Sequence, residues 1–213
     1  IKVLRKKDGD ILFVTNGLGV LFKTEIILAS DSKCTVQIVS FEKTAPAPFR
    51  LHLAVAPTKM NDRYEWFLEK ATELGVLEII PLQTKRSEKV FFKEDRWNTI
   101  LVTAMLQSQQ FYLPKLHPVQ PIGQFFTNPA FKKPQQFIAH CMESDQKFSL
   151  SAAMNNKEDA LVLIGPEGDF TSEEVQQALQ ASFLPVQLGH TRLRTETAAM
   201  AVCSLYNLLD EKS

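Results

Sequence analysis

Over the first forty residues, apolar side chains recur in short alternating runs. They predict strands at residues 11–15, 24–29 and 35–41. Asn16-Gly17 predicts a hairpin turn between the first two, since both residues tolerate positive φ. Residues 45–48 hold two prolines and read as a linker. Beyond them the period changes. Residues 51–56 form an apolar run, followed by a helical pattern over residues 62–74 with Tyr64, Phe67, Leu68, Ala71 and Leu74 on one face. Asp62 and Glu65 have the spacing of a reciprocal N-terminal cap, and Gly75 is a stop signal. A buried strand over residues 76–81 completes a strand–helix–strand unit, which implies a parallel sheet. Further helices are expected over residues 94–110, 122–126, 150–154 and 171–181, and further strands over 136–141, 160–164 and 185–188. Thr171 and Glu174 have capping-box spacing. The chain ends in a strand, a loop bent at Gly189, and an alanine-rich helix for which Thr195 is the expected cap. The first 45 residues therefore read as a β domain, and residues 49–213 as an α/β domain.

Composition narrows this picture modestly. Of 213 residues, 45% are hydrophobic and 23% charged, as expected of a soluble globular protein, and no apolar run is long enough to cross a bilayer. Three scattered cysteines match neither a zinc site nor a disulfide framework, so a cytoplasmic setting without a metal is expected. The formal net charge is zero, which argues weakly against a nucleic-acid partner, although a locally basic surface would still serve.

Two loops concentrate the candidate chemistry. The first follows the strand at 160–164 and reads Gly165-Pro-Glu-Gly-Asp-Phe170. Loops at the carboxyl ends of parallel strands are where such sheets bind ligands, and glycines let backbone approach them. This loop fits neither the dinucleotide fingerprint nor the Walker motif, and Glu167 disfavours phosphate, so a neutral or cationic ligand is the better expectation. A tight strand-to-helix turn would need the same glycines. The second loop holds Arg192 and Arg194 and runs into Thr195 and Glu196. A solvated basic turn is the alternative there.

These loops, Gly165-Pro-Glu-Gly-Asp-Phe and Leu188-Gly-His-Thr-Arg-Leu-Arg-Thr-Glu-Thr-Ala198, closely resemble those of the RsmE family of SPOUT RNA methyltransferases. Lys59-Met-Asn-Asp-Arg63, Glu69-Lys-Ala-Thr-Glu-Leu-Gly75 and Lys85-Arg86-Ser87 add a third match. The resemblance implies an α/β SPOUT domain with a C-terminal trefoil knot, preceded by a partial PUA-like β-barrel whose first strands lie before Ile1. It implies S-adenosylmethionine-dependent methylation of uridine N3 in 16S ribosomal RNA of the small subunit, by a homodimer. The cofactor residues it implies are Leu163, Gly165, Pro166, Glu167 and Gly168 in the first loop. In the second they are Leu188, Gly189, Leu193, Arg194, Thr195 and Ala198.

A proton must leave uridine N3, so a base or a stabiliser of the resulting anion is expected. Arg194 is the candidate stabiliser of the uracil anion or its phosphate, and Glu196 orients Arg194, acts as base, or merely complements the charge of the helix N-terminus. Arg5, Lys59, Arg63, Lys85 and Arg86 are candidate RNA contacts, with solvated surface the competing role. The Glu-Gln pair and nearby arginine that the family carries after the second helix are replaced here by Leu106-Gln-Ser-Gln-Gln110, which puts an RNA contact by that segment in doubt, and a family glycine by Asp169. Two alternatives stand: a related knotted methyltransferase acting on transfer RNA or a ribose hydroxyl, and a non-catalytic RNA-binding or assembly module.

Overall fold

The computed structural model describes residues 6–30, 33–47, 49–88, 92–142 and 147–210. The chain divides into two compact units, Ile1–Pro46 with Phe111–Leu113, and Ala47–Gln110 with Pro114–Ser213.

The first unit is an antiparallel sheet of β1 (Ile11–Thr15), β2 (Val20–Ala29) and β3 (Cys34–Lys43) in that order. The hairpin joining β1 to β2 is longer than a two-residue Asn-Gly turn. Gly17 (φ 69°) and Gly19 (φ 86°) take the left-handed positions, while Asn16 Oδ1 accepts from Leu18 N and Val20 N. Phe111–Leu113 docks on this hairpin through Gly19 N–Phe111 O and Leu113 N–Gly17 O, and a Cβ at Gly19 would collide with the Tyr112 ring.

The second unit alternates strands and helices: β4 (Leu51–Val55), α1 (Asn61–Glu73), β5 (Glu78–Gln83), α2 (Glu94–Gln107), β6 (Lys115–Leu116), β7 (Gln120–Pro121) and α3 (Ile122–Thr127). Then come β8 (Gln135–Ala139), β9 (Phe148–Ser149), α4 (Leu150–Ala153), β10 (Ala160–Ile164), α5 (Ser172–Gln180), β11 (Leu184–Gln187) and α6 (Thr195–Asp210). The strands form one parallel sheet in the order β6-β5-β4-β10-β8-β11-β9, with β7 beside β5. Leu161 and Leu163 join Ile138, Phe170, Val175 and Phe183 in one core layer. Leu53 and Val162 alternate onto the other face and are equally buried, and α6 lies there against β4, β10 and α1.

Three local expectations change. Glu65 does not cap α1. Met60 is the N-cap without a side-chain bond, because the Glu65 carboxylate is taken by Arg96 of α2 in a two-pronged pair (2.6 Å each). Helix α2 stops at Gln107, and Gln109 turns left-handed (φ 56°) so that Gln110 Nε2 reaches Glu73 O at the end of α1 (2.6 Å). Gln110 thus ties the segment after α2 to the end of α1. The strand expected at 76–81 starts instead at Glu78, since Val76 N still bonds Ala71 O of α1.

Candidate functional site

The order β4-β10-β8-β11 brings the carboxyl ends of four strands side by side, and the loops leaving β8, β10 and β11 meet there. Two adjoining hollows, ≈ 290 Å³ and ≈ 360 Å³, share Ala139, Cys141, Arg192, Leu193 and Ala198 as walls. The first is completed by Gly165, Pro166, Glu167, Asp169, Arg194 and Thr195. The second is completed by Leu188, Gly189 and His190 together with His140 and Lys147.

Local chemistry shapes the first loop. Asp169 N bonds Pro166 O (2.9 Å), closing a turn that places Asp169 in the left-handed region (φ 62°). A non-glycine residue there is strained by about 1 kcal/mol. The Asp169 carboxylate offsets that strain: Oδ1 accepts from Phe170 N and Oδ2 from Cys141 N, 2.8 Å each, tying the β10 loop to the end of β8. Phe170 is fully buried, and a Cβ at Gly165 would sit 3.1 Å from its ring. Glycine at 165 is therefore a packing requirement. Thr171 closes the loop as a true capping box on α5 with Glu174.

The two glycine-bent loops are joined by one bond. Thr195 Oγ1 donates to Gly165 O (2.9 Å, buried). Thr195 is thus not the expected hydroxyl acceptor at the helix start. Helical bonding begins one residue earlier, with Ala198 N on Arg194 O, which leaves the threonine hydroxyl free to reach across. Gly189 takes φ 136°, and a Cβ there would meet no atom within 4 Å, so it would project into open space beside the second hollow.

Several assigned residues fall elsewhere. Leu163 lies wholly in the core layer, and neither hollow is lined by it or by Gly168. Glu196 does not touch Arg194. Its Oε1 lies 3.8 Å from Arg63 Nε, and its Oε2 is the one buried side-chain oxygen without a hydrogen-bond partner among the described residues. Each described candidate RNA contact is already engaged within the chain. Lys59 Nζ lies 3.3 Å from Glu88, Lys85 Nζ 3.2 Å from Glu173, and Arg86 reaches backbone carbonyls. Arg5 lies outside the described residues. By contrast, Arg192 and Arg194 are exposed at the hollows with no ion pair to a described residue.

Sequence reading missed the end of β8. His140 is buried, with Nδ1 unpartnered, and burial, reinforced by Lys147, lowers its pKa from the ordinary histidine value. Lys147 Nζ also bonds His140 O (2.8 Å). Only the strand order, which seats β8 between β10 and β11, brings these residues to the site. No group of histidine, cysteine and carboxylate side chains that could hold a metal ion occurs among the described residues.

Backbone-lined walls, apolar contacts from Pro166, Leu188 and Leu193, and acidic Glu167 and Asp169 suit a neutral heterocycle joined to a cationic group. Fold and site together define a parallel α/β domain that takes a small ligand beyond the carboxyl ends of its strands. The chain belongs to the RNA methyltransferase domain family, whose profile matches residues 45–207. A second profile, the RNA methyltransferase PUA domain, matches residues 1–39. The crystal structure of a "probable rRNA-methyltransferase" from Porphyromonas gingivalis is 36% identical, with a TM-score of 0.90 and coverage of 99% of this chain and 89% of that one. Ribosomal RNA small subunit methyltransferase E from Neisseria gonorrhoeae, solved bound to S-adenosyl methionine, is 26% identical, with a TM-score of 0.85 and coverage of 98% and 86%. The protein of that same name in Bacillus subtilis is 27% identical, over 96% of this chain and 84% of its own length.

Proposed function

We propose that this protein transfers a methyl group from S-adenosylmethionine to N3 of a uridine in 16S ribosomal RNA of the small subunit. The observation that carries this is the meeting of the Gly165 and Gly189 loops around joined hollows, locked by the Thr195–Gly165 bond. Residues present fit the cofactor. Gly165, Pro166, Leu188 and Leu193 would hold it through backbone and apolar contacts, with Glu167 and Asp169 favouring its positive charge. When bound, it supplies an electrophilic methyl group, so the protein's task is chiefly to orient the acceptor.

Arg194, exposed at the rim and without a carboxylate partner among the described residues, stabilises the negative charge left on the uracil when the N3 proton departs. Glu196 faces Arg63 with one oxygen; the other, buried and without a partner among the described residues, stands at neither hollow, so Glu196 acts by holding Arg63 and the start of α6. Arg192 and Arg194 replace the engaged lysines and arginines as the first candidates for RNA phosphate.

The same reading includes a C-terminal trefoil knot, a barrel completing the antiparallel sheet of the first unit, domain limits near residues 45 and 49, a homodimer and a cytoplasmic location. The last two strands flanking β8 support the knot. Exposed Trp66 of α1 and Leu208 of α6, on helices packed against each other, support a dimer face. Among the described residues no helix is long and apolar enough to cross a membrane.

The test is nucleoside mass spectrometry on unmodified small subunits incubated with the protein and S-adenosylmethionine. 3-Methyluridine in 16S RNA is expected. A 2′-O-methyl product or a modified transfer RNA would assign the chain to a related methyltransferase, and RNA binding without cofactor binding would make it a non-catalytic module.

A further inference from the structure

Arg86 follows β5, a strand separated from β10 by β4, yet its guanidinium crosses to the first glycine loop. Nη1 donates to Gly168 O (2.8 Å) and to Phe170 O (3.3 Å). Its aliphatic stem lies where a side chain at 168 would be: a Cβ built on Gly168 would stand 3.3 Å from Arg86 Cβ and 3.4 Å from Cδ. Any side chain at 168 would press this stem outward by a few tenths of an ångström, so glycine there lets Arg86 lie against the loop. The turn carrying Arg86 is itself fixed. Thr84 N and Oγ1 both bond Ser87 Oγ, Ser87 N bonds Thr84 O, and Lys85 N donates to Glu174 Oε1. The other Glu174 oxygen accepts from Thr171 N at the end of the same loop.

We propose that Arg86 is a positioning residue for the cofactor loop and not an RNA contact. It clamps the outer carbonyls of residues 168 and 170 while Thr195 holds the inner carbonyl of Gly165, so Pro166, Glu167 and Asp169 face the first hollow in one fixed arrangement. Two bonds from one cationic nitrogen to neutral carbonyls are the strong kind, and the rigid guanidinium plane fixes Nη1 between them where a lysine ammonium on a flexible stem is not held. The proposal rests on the assignment of these hollows to S-adenosylmethionine.

The experiment compares wild type, Arg86→Ala and Arg86→Lys by calorimetry with S-adenosylmethionine, by RNA binding without cofactor, and by amide exchange over residues 165–171. The alanine variant is expected to bind cofactor more weakly, on the order of tenfold, as loss of charge-assisted bonds predicts. The lysine variant should recover part of that loss. Loop amides should exchange faster while β10 and α5 keep their protection, and RNA affinity should stay at the wild-type value. Unchanged cofactor affinity with weakened RNA binding would overturn the proposal, as would equal loss of protection throughout the unit, which marks a general fold role. Absence of cofactor binding by the wild type would instead overturn the ligand assignment itself.

Discussion

Arg194 and Glu196 stand two residues apart but in unlike surroundings: one is exposed at the hollow's rim with no ion pair among the described residues, the other is buried against Arg63. Their variants should separate accordingly. Arg194→Ala is expected to lower kcat on the order of a hundredfold or more, as loss of a charge-stabilising donor does. Glu196→Gln should lower kcat by less than about tenfold, since the carboxylate stands at neither hollow and acts only through a loose pair with Arg63. Arg194 also lines the first hollow, so its variant should lose far less cofactor affinity than rate, and Glu196→Gln should leave affinity unchanged; for Arg194, equal losses of affinity and rate would contradict the stabilising role. Glycines 165, 168 and 189 were legible in the sequence as positions of special backbone, but the reason was not. Gly165 and Gly168 answer to Phe170 and Arg86, and only Gly189 has a φ that disfavours side chains. Partners such as Arg63 for Glu196, far away in sequence, leave no local signal.

Helix and strand positions followed apolar periodicity closely, and the Thr171–Glu174 box was readable because it is local. The expected caps at Glu65 and Thr195 failed for one reason: each side chain found a stronger partner on another element, Arg96 and Gly165 respectively. Thr195→Val should therefore loosen the link between loops, costing about 1–3 kcal/mol for the unpaired buried carbonyl. Thr195→Ser should remain near wild type, and chemical denaturation with cofactor titration checks both. At the amino ends of β4 and β5, away from the hollows, His117 Nε2 (3.7 Å) and His52 Nδ1 (2.8 Å) face Glu78 Oε2, with Lys133 Nζ at 3.9 Å. These contacts, with His117 and His52 foremost, hold the Glu78 carboxyl well below the ordinary carboxylate range. A folded pKa below the unfolded value means the stabilisation is full above roughly pH 5 and fades as the solution is acidified through the unfolded value and below. The melting temperature of wild type should fall more steeply below pH 5 than that of Glu78→Gln, and cofactor affinity at neutral pH should be the same in both. Parallel acid melting curves would contradict the assignment.

For the molecule as a whole, the alternation of strands and helices after residue 49 was enough to expect a parallel α/β sheet, and antiparallel strands before it to expect a separate β unit. Strand order was not legible. Nothing local says that β10 inserts between β4 and β8, and that insertion carries Ala139, His140 and Cys141 into the walls of the hollows. The basic residues 59, 63, 85 and 86 were visible as charge, while their engagement inside the chain depends on contacts between distant segments. The central claim, that the loops bent at 165 and 189 make one S-adenosylmethionine pocket, is tested most directly by calorimetric titration of wild type and Ala198→Phe, at a helical wall position shared by both hollows, with that cofactor. Saturable binding by the wild type, and its loss in a variant that keeps the wild-type melting temperature, is the predicted result. Binding undiminished by a phenylalanine at the wall shared by both hollows, or no binding by the wild type, would contradict it.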